Sequence, residues 1–193
     1  MAKYTREKII DAFFALASEN PEKSNFTISE IASKAGISRQ AIYQKHFKNF
    51  NEIILYVHNL IDKEICQVFN NYNPSSNINP LDYIAENVLP AIWKERQWIR
   101  CLYTTNIDPN FEDFIVSTYT KWGASNIVPK EGQFNLSNEE VIQLVTSLTV
   151  VVIKNWITQD NPSPPKQFKG EFLRLIRTPI YEYINHTAVA VSD

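Results

Sequence analysis

Four side chains near position 40 carry hydrogen-bonding groups suited to the edges of nucleic-acid bases. An arginine guanidinium can pair with O6 and N7 of guanine, and a glutamine amide can pair with N6 and N7 of adenine. On a helix that turns about 100° per residue, Ala41 and Ile42 face inward and the four polar residues face outward. Side chains of these types at this spacing are typical of a helix that enters the major groove of DNA. The outward residues are Arg39, Gln40, Tyr43 and Gln44.

Groups that can hold phosphates flank the same segment. Hydroxyl and ammonium groups that bind phosphate oxygens fix the position of a protein on a duplex without reading its sequence. Residues 1–50 also carry eight basic side chains against five acidic ones, whereas the remainder carries eleven basic and sixteen acidic. A basic end on an acidic body favours a polyanion as the partner of the first fifty residues. The expected phosphate contacts are Thr27, Ser38, Tyr43 and Lys48.

Two short helices and a glycine turn are predicted to position these side chains. Thr27 and Glu30 have the spacing of a capping box, which opens a helix over residues 28–35. Gly36 supplies the left-handed residue that ends a helix sharply, and Ser38 is a suitable N-cap for the helix that follows. Two helices joined in this way form a helix-turn-helix.

The segment AGISRQAIYQKHF resembles the DNA-binding domain of TetR-family repressors. As in that family, it precedes a long amphipathic helix, and another amphipathic helix lies ahead of it over residues 5–18. The close resemblance covers about the first sixty residues, and the remainder agrees in length and helical pattern. It implies that Thr27 caps the preceding helix and touches a phosphate. It also implies that the following residues face the DNA: Arg39, Gln40, Ala41, Tyr43 and Gln44.

The sequence departs from the family pattern at two places. Three residues separate Tyr43 from Phe47 where the family usually has two, so either the helix ends near Gln44 or a wider turn absorbs the extra residue. Lys45 and His46 are included among the candidate DNA-binding residues, with their roles left open. The second departure is an aromatic residue at position 50, where the family often has a phosphate-binding lysine. Lys48 is the candidate replacement for that lysine.

Composition and scattered reactive residues argue against several other classes of protein. The chain has 193 residues, of which 44% are hydrophobic and 21% charged, as in ordinary globular proteins. Cys66 and Cys101 form no CxxC pair and are expected to be reduced thiols of a cytoplasmic protein. His46, His58 and His186 lack the spacing of metal ligands, so neither a metal nor another cofactor is expected. The sequence contains no nucleophile elbow, dinucleotide fingerprint or P-loop, and we expect no enzymatic activity.

Apolar positions recur at helical spacing along the chain, which predicts an all-α protein. Only four glycines occur, too few for the turns of a β-rich protein of this size. The expected architecture is a three-helix DNA-binding domain in residues 1–50 and a larger helical effector-binding and dimerisation domain in residues 51–193. A long helix over about residues 50–70 would connect them. Residues 141–157 are the most lipid-like segment, but they are short for a span and contain polar side chains, so no membrane association is expected.

Aromatic side chains cluster in the middle of the chain. An aromatic-rich interior suits a pocket for a small apolar or aromatic effector. Aromatic residues at helical spacing also pack simply as a core, and both interpretations stay open for each residue. With the family architecture as a guide, the candidate pocket residues are Trp93, Trp98, Tyr103, Phe114, Tyr119 and Trp122.

Two apolar helices near the end of the chain are candidates for a dimer interface. The resemblance implies that the last two long helices pair with their copies in a second subunit. A linear operator read by one short helix also needs a twofold partner. The alternative is that both helices lie inside a monomer. The candidate interface residues are Leu148, Val152, Trp156, Phe172, Ile176 and Ile180.

Together these observations predict a ligand-responsive repressor that binds double-stranded DNA as a homodimer. Its operator would be a pseudo-palindrome with half-sites about 34–36 Å apart. The alternative is a TetR-like coregulator or activator that works through protein–protein contact, which the extra residue before Phe47 and the aromatic residue at position 50 would suit.

Overall fold

The computed structural model describes residues 2–130, 132 and 135–184, and of residues 2–4 it describes the backbone. Every regular element in these ranges is helical. The all-α class expected from the sequence is therefore confirmed. We call residues 2–47 the head and residues 71–184 the bundle; one long helix joins them.

Three helices form the head: α1 (Ala2–Glu19), α2 (Ile28–Ala35) and α3 (Arg39–Lys45). Their apolar residues recur every three or four positions, so each helix turns one stripe toward the other two. Side chains buried in the resulting core include Ile9, Phe13, Ala17, Phe26, Ile31 and Ile42.

Cap residues fix where α2 begins and ends. The Thr27 hydroxyl accepts a hydrogen bond from the Glu30 amide at 3.2 Å, and the Glu30 carboxylate accepts one from the Thr27 amide at 2.7 Å. These two bonds complete the predicted capping box. Gly36 ends α2 with a φ of 66°, in the left-handed region where a β-carbon is costly. The chain reverses there and enters α3 at Ser38, which gives the two helices their helix-turn-helix form.

A single long helix, α4 (Phe50–Asn70), leads from the head into the bundle. It begins at Asn49, whose side-chain oxygen accepts a hydrogen bond from the Glu52 amide at 2.9 Å. Its start packs on the head, where the ring centroids of Phe50 and Phe13 lie 5.6 Å apart. Its buried stripe runs the length of the helix through Ile53, Val57, Ile61, Ile65 and Phe69.

The bundle is built from short and long helices around α4. A π-helical turn, Ile84–Val88, precedes the helix that contains Pro90. The backbone widens there because proline has no N–H to donate and its ring crowds the preceding turn. A 3₁₀ turn, Ile180–Tyr183, follows the last helix. The α-helices are α5 (Pro80–Tyr83), α6 (Leu89–Lys94), α7 (Arg96–Thr104), α8 (Phe111–Asn126), α9 (Asn138–Ile157) and α10 (Pro165–Arg177).

Stacked aromatic rings hold α6, α9 and α10 together. Trp93 on α6 stacks on Trp156 of α9 with centroids 5.5 Å apart, and Trp156 stacks on Phe168 of α10 at 4.5 Å. The indole N–H of the buried Trp156 donates to the carbonyl of Ser163 at 2.8 Å, so its polar atom is paired. We call Trp93, Trp156 and Phe168 the aromatic ladder.

One helix in the described ranges, α9, is long and apolar enough to cross a membrane by length and composition alone. Core helices of globular proteins meet the same criterion. Within a single chain, however, only 22% of its most apolar window is buried. Much of the apolar surface of α9 is therefore exposed to solvent in a single chain.

Candidate DNA-binding surface and internal cavity

Helix α3 turns its polar residues to solvent because one apolar residue anchors its other side. The side chain of Ile42 is 0% exposed. The Ser38 hydroxyl accepts a hydrogen bond from the Ala41 amide at 3.1 Å and fixes the start of the helix. The four candidate base-reading residues are all exposed on this short helix: Arg39, Gln40, Tyr43 and Gln44.

The candidate phosphate-binding residues lie around this face. Thr27, Ser38, Lys45 and Lys48 are exposed, and Ala41 and His46 are half-buried. The hydroxyl of Thr27 also donates to the Glu30 carboxylate at 2.8 Å, so its proton is already engaged. Contact of any of these residues with DNA stays a prediction.

A wide turn after α3 absorbs the extra residue between Tyr43 and Phe47. The amides of both His46 and Phe47 donate to the carbonyl of Ile42, at 2.9 and 3.1 Å. The helix continues to Lys45, whose side chain stays exposed, and Phe47 still reaches the core. Of the two alternatives left open by the sequence, the structure has the wider turn.

Beside this turn lies Arg6, which the sequence analysis did not single out, close to the two candidates Lys45 and His46. The guanidinium of Arg6 lies over the rings of Phe47 and Tyr56, 5.7 and 5.1 Å from their centroids. Burial, then the charges of Arg6 and Lys45, lower the pKa of His46. Nε of Arg6 and Nδ1 of His46 are buried without a hydrogen-bond partner in the described part of the chain. Arg6 lies far from Phe47 and Tyr56 in the sequence, so residue spacing gave no signal of these cation–π contacts.

At the start of α4, Phe50 is a packing residue, since its ring contacts Phe13 in the head core. The neighbouring amide of Lys48 donates to the Glu52 carboxylate at 2.8 Å and is therefore occupied in this structure. The Lys48 side chain is exposed, and its contact with a phosphate stays a prediction.

An internal cavity of about 90 Å³ lies between α4, α8, α9 and the π-helical turn. Three of the six candidate pocket residues line it: Tyr103, Tyr119 and Trp122. Two of them have hydrogen-bonded polar atoms: the Tyr119 hydroxyl donates to Asp62 at 2.8 Å and the Trp122 indole N–H donates to the Phe69 carbonyl at 3.2 Å. Among the described residues that form the wall, none is charged.

The other three candidate pocket residues lie outside this cavity. Trp93 belongs to the aromatic ladder, Trp98 stacks on Phe14 of α1 at 5.4 Å, and Phe114 stacks on His58 at 4.3 Å. Each of these rings packs one helix on another. The rest of the cavity wall is mostly aliphatic. The α4 residues in this wall belong to the apolar stripe that the periodicity of the sequence predicts. The wall includes Ile61, Ile65, Ile84, Val88, Val145 and Ile153.

The predicted dimer interface is divided by the structure. Leu148, Val152, Ile176 and Ile180 border an open groove between α9, α10 and the 3₁₀ turn. Trp156 and Phe172 are 1% and 0% exposed inside a single chain, so both side chains are packed within one molecule, although Trp156 also lies along the groove. Trp156 is covered by Trp93 of α6 and Phe168 of α10. Leu144 and Val151 are further exposed apolar residues of α9, and the interface itself stays a prediction.

In residues 2–130, 132 and 135–184, no three His, Cys, Asp or Glu side chains converge as metal ligands would. Cys66 is half-buried and Cys101 is buried, and burial raises the pKa of both thiols. His186 lies outside the described residues.

Three solved structures share this fold over nearly the whole chain. A TetR transcriptional regulator from Streptococcus agalactiae has a TM-score of 0.57 at 17% identity, over 91% of this chain and 94% of the other. NalD, the secondary repressor of the MexAB-OprM efflux pump in Pseudomonas aeruginosa, has a TM-score of 0.62 at 16% identity, over 90% and 96%. DhaS, a dihydroxyacetone kinase operon activator, has a TM-score of 0.54 at 16% identity, over 89% and 93%.

These comparisons establish the architecture of the chain. The sequence itself matches no protein-family profile. No curated protein matches it significantly. The chain nevertheless has the fold of TetR-type transcriptional regulators, and the resemblance inferred from its first sixty residues is confirmed at the level of the fold. Identities of 16–17% carry no information about individual site residues.

Proposed function

We propose that this chain is a cytoplasmic, DNA-binding transcriptional regulator that acts as a homodimer. In this proposal, α3 of each subunit reads one half of a pseudo-palindromic operator, with half-sites about 34–36 Å apart. A small apolar molecule in the bundle cavity releases the operator, so the protein is a ligand-responsive repressor.

The exposed face of α3 carries the proposal. Four side chains capable of base or phosphate contacts project from a helix of seven residues, held by a fully buried Ile42 and capped by Ser38. Tyr43 is 48% exposed, although an aromatic ring gains by being buried. A surface of exposed arginine, glutamine and tyrosine without a protein partner is suited to a nucleic-acid duplex.

The cavity supports a neutral effector of small size. No charged residue is found in its described wall, so an ion would enter without a counter-charge and lose its hydration. Its volume of about 90 Å³ is smaller than the ~150 Å³ that holds a benzene ring in an engineered protein cavity. An occupant must therefore move the walls, and a ligand that binds one wall arrangement better than another is the requirement for a switch.

The groove beside α9 and α10 supports the homodimer. A second copy would cover the exposed apolar residues on both molecules, because a twofold interface presents the same patch from each subunit. Leu148, Val151 and Ile180 are exposed along this groove, and Leu144, one turn before Leu148 on α9, is exposed as well.

A second role, activation or coregulation, is favoured by one observation about the fold. The same architecture occurs in NalD, whose name describes a repressor, and in DhaS, whose name describes an activator. A reporter gene placed behind the operator separates the roles, because deletion of the regulator raises expression under repression and lowers it under activation. A coregulator that works only through protein contact would leave the purified chain without sequence-specific DNA affinity.

Removal of the α3 side chains tests the DNA-binding proposal. Duplexes are enriched from a random pool by the purified full-length chain, and the affinity of variants for the enriched duplex is measured by fluorescence anisotropy. Arg39→Ala and Tyr43→Ala are each expected to weaken binding about tenfold or more. The controls Lys94→Ala and Leu55→Ala change exposed residues of α6 and α4 that do not line the groove, and leave the affinity unchanged. Wild-type affinity in both α3 variants would contradict the assignment of the recognition helix.

A salt titration on random duplex provides the sharper distinction from a coregulator. Binding by a DNA reader weakens steeply as salt rises, because phosphate contacts release counterions. Lys48→Ala is expected to reduce the slope of log affinity against log salt by about one. The control, Lys63→Ala, changes an exposed lysine further along α4 and leaves the slope as it is.

A further inference from the structure

The turn between α7 and α8, residues 105–111, contacts the cavity at one end. Phe111 lines the cavity, and its ring centroid lies 5.0 Å from that of Tyr103 on the same wall. The same ring lies 5.6 Å from the imidazole of His58 on α4. One buried side chain therefore touches both the site of the proposed effector and the helix that leads to the head.

A buried polar pair fixes the middle of this turn to α4. Asp108 and His58 are 8% and 9% exposed, and Oδ2 of Asp108 is hydrogen-bonded to Nε2 of His58. The His58 ring also stacks on Phe114 at 4.3 Å, and Oδ1 of Asp108 accepts a hydrogen bond from the Asn110 amide at 3.3 Å. Separating a buried polar pair leaves both groups without a hydrogen bond, which is costly. The turn therefore either keeps its position against α4 or moves far enough to expose both groups to water.

The start of the same turn, at Asn106, is hydrogen-bonded to the head. The Asn106 amide donates to the Pro21 carbonyl at 2.7 Å. Its side-chain nitrogen donates to the Glu22 carbonyl at 3.3 Å and to the Glu22 carboxylate at 3.1 Å. Both acceptor residues follow α1 and lead toward α2. These bonds join the bundle to the helix-turn-helix without passing through α4.

From these contacts we infer that residues 105–111 form a coupling element between the cavity and the head. Displacement of Phe111 moves the turn about the His58–Asp108 pair, and Asn106 transmits that movement to the segment between α1 and α2. The inference rests on the proposed function, since it names the route by which cavity occupancy alters DNA binding. The competing route is direct packing of cavity-lining helices on the head, by α4 and by α7, whose Trp98 stacks on Phe14 of α1.

A double-mutant cycle on DNA affinity distinguishes the two routes without a ligand. The wild-type chain, Phe111→Leu, Asn106→Ala and the double variant are compared on the enriched duplex. Phe111→Leu removes both ring contacts and keeps an apolar side chain in the wall. It is expected to change DNA affinity roughly threefold or more in the wild-type background. In the Asn106→Ala background the change falls below about 1.5-fold.

Asn87→Ala is the matched control for Asn106→Ala. The Asn87 side chain is exposed and donates only to the Tyr83 carbonyl one turn earlier, at 3.1 Å. Phe111→Leu keeps its full effect on DNA affinity in that background. An equal effect with and without Asn106 would overturn the coupling element and assign transmission to the direct packing of helices on the head. An absence of any effect of Phe111→Leu would overturn it as well.

Amide hydrogen exchange of residues 38–45 gives a second readout that needs no DNA. Phe111→Leu is expected to change exchange in these residues about twofold or more in the wild-type background, and not when Asn106 is alanine. His58→Phe keeps a ring for Phe114 to stack on, removes the bond to Asp108, and is expected to abolish the effect in the same way. A chain that enriches no duplex refutes the proposed function, whereas the exchange pattern still decides the coupling element.

Discussion

The head and the bundle expose surfaces of opposite kind. On the head, the outer side of α3 is polar, with Arg39 and Gln40 in water. On the bundle, the outer side of α9 is apolar, and Leu144, Leu148 and Val151 are between 43% and 51% exposed. A polar helix face is stable in water, whereas a contiguous apolar face is stabilised when another surface covers it. In the proposed function, the polar face of the head would bind a polyanion and the apolar face of the bundle would bind a second copy of the chain.

The interior of the bundle is itself divided. One side is the aromatic ladder, in which Trp156 is stacked on both faces. The other side is the small cavity with a mostly aliphatic wall. Stacked rings hold fixed distances between helices, while branched aliphatic side chains can repack around an occupant at modest cost. A rigid half beside a deformable half is the arrangement that a ligand-dependent change of shape requires.

The largest effect is expected from removing the centre of the ladder. Trp156→Ala deletes two ring stacks and a buried indole, and should cost about 3–5 kcal/mol in the free energy of unfolding. Urea denaturation measures this loss. Trp156→Phe retains a stacking ring and is expected to cost less. Tyr43→Ala, an exposed aromatic residue on the head, stays within about 0.5 kcal/mol of wild type. A loss below about 1 kcal/mol for Trp156→Ala would show that the ladder does not support the bundle.

The apolar face of α9 gives the next largest effect. Leu148→Glu combined with Val151→Glu places charges in the proposed interface and should weaken the homodimer about a hundredfold or more. Sedimentation equilibrium measures the change. Leu55→Glu is the matched control, because Leu55 is exposed on α4 away from the groove. A wild-type chain that is monomeric at micromolar concentration, or a double variant that remains dimeric, would contradict the proposed partner of the bundle.

Local sequence signals predicted the head well. Thr27 with Glu30, Gly36 and Ser38 each act on residues within four positions, so their roles as caps and turn could be read without knowing the fold. The wide turn before Phe47 was one of two alternatives, because an extra residue can be absorbed by either geometry.

Contacts between distant segments explain why the bundle was predicted less completely. Trp98 stacks on a ring of α1, and Trp156 lies between rings of α6 and α10, so periodicity alone could not separate pocket, ladder and surface. Phe172 belongs to the apolar stripe of α10, and periodicity does not say whether such a stripe packs on its own chain or on a second copy; in the structure it is 0% exposed within one chain. The buried His58–Asp108 pair gave no sequence signal, since its two members are fifty residues apart.

Two glycines provide a smaller test of the same contrast between head and bundle. Gly36 has a φ of 66°, so Gly36→Ala strains the turn of the helix-turn-helix and should cost about 1 kcal/mol. Gly170 lies within α10 with no atom within 4 Å of an added β-carbon, so Gly170→Ala should stabilise by about 0.5–1 kcal/mol. Thermal and urea denaturation measure both. Two effects of the same sign would be inconsistent with these backbone conformations.

The smallest effect is the dependence of head stability on pH, through His46 and Glu30. The folded pKa of His46 lies below its ordinary 6.5 because of burial and nearby cations, so stability present at neutral pH is lost as pH falls below 6.5. A hydrogen bond from Lys23, then bonds with Thr27, lower the pKa of Glu30 from 4.5 to about 2. Its contribution is present above pH 4.5 and is lost between pH 4.5 and 2.

Urea denaturation across this pH range separates the two groups. His46→Gln should flatten the loss just below pH 6.5 and leave the acid window unchanged, whereas Glu30→Gln should do the reverse. Each effect is expected to be a few tenths of a kcal/mol, because solvent screens charges at the surface.

The pH dependence of DNA affinity tests His46 separately, because a phosphate bound near Arg6 and Lys45 would favour the charged form of His46. Affinity for the enriched duplex would then rise as pH falls from 7.5 to 6, and His46→Gln would remove that rise. An equal pH dependence in the variant would place the phosphate away from the turn that follows α3.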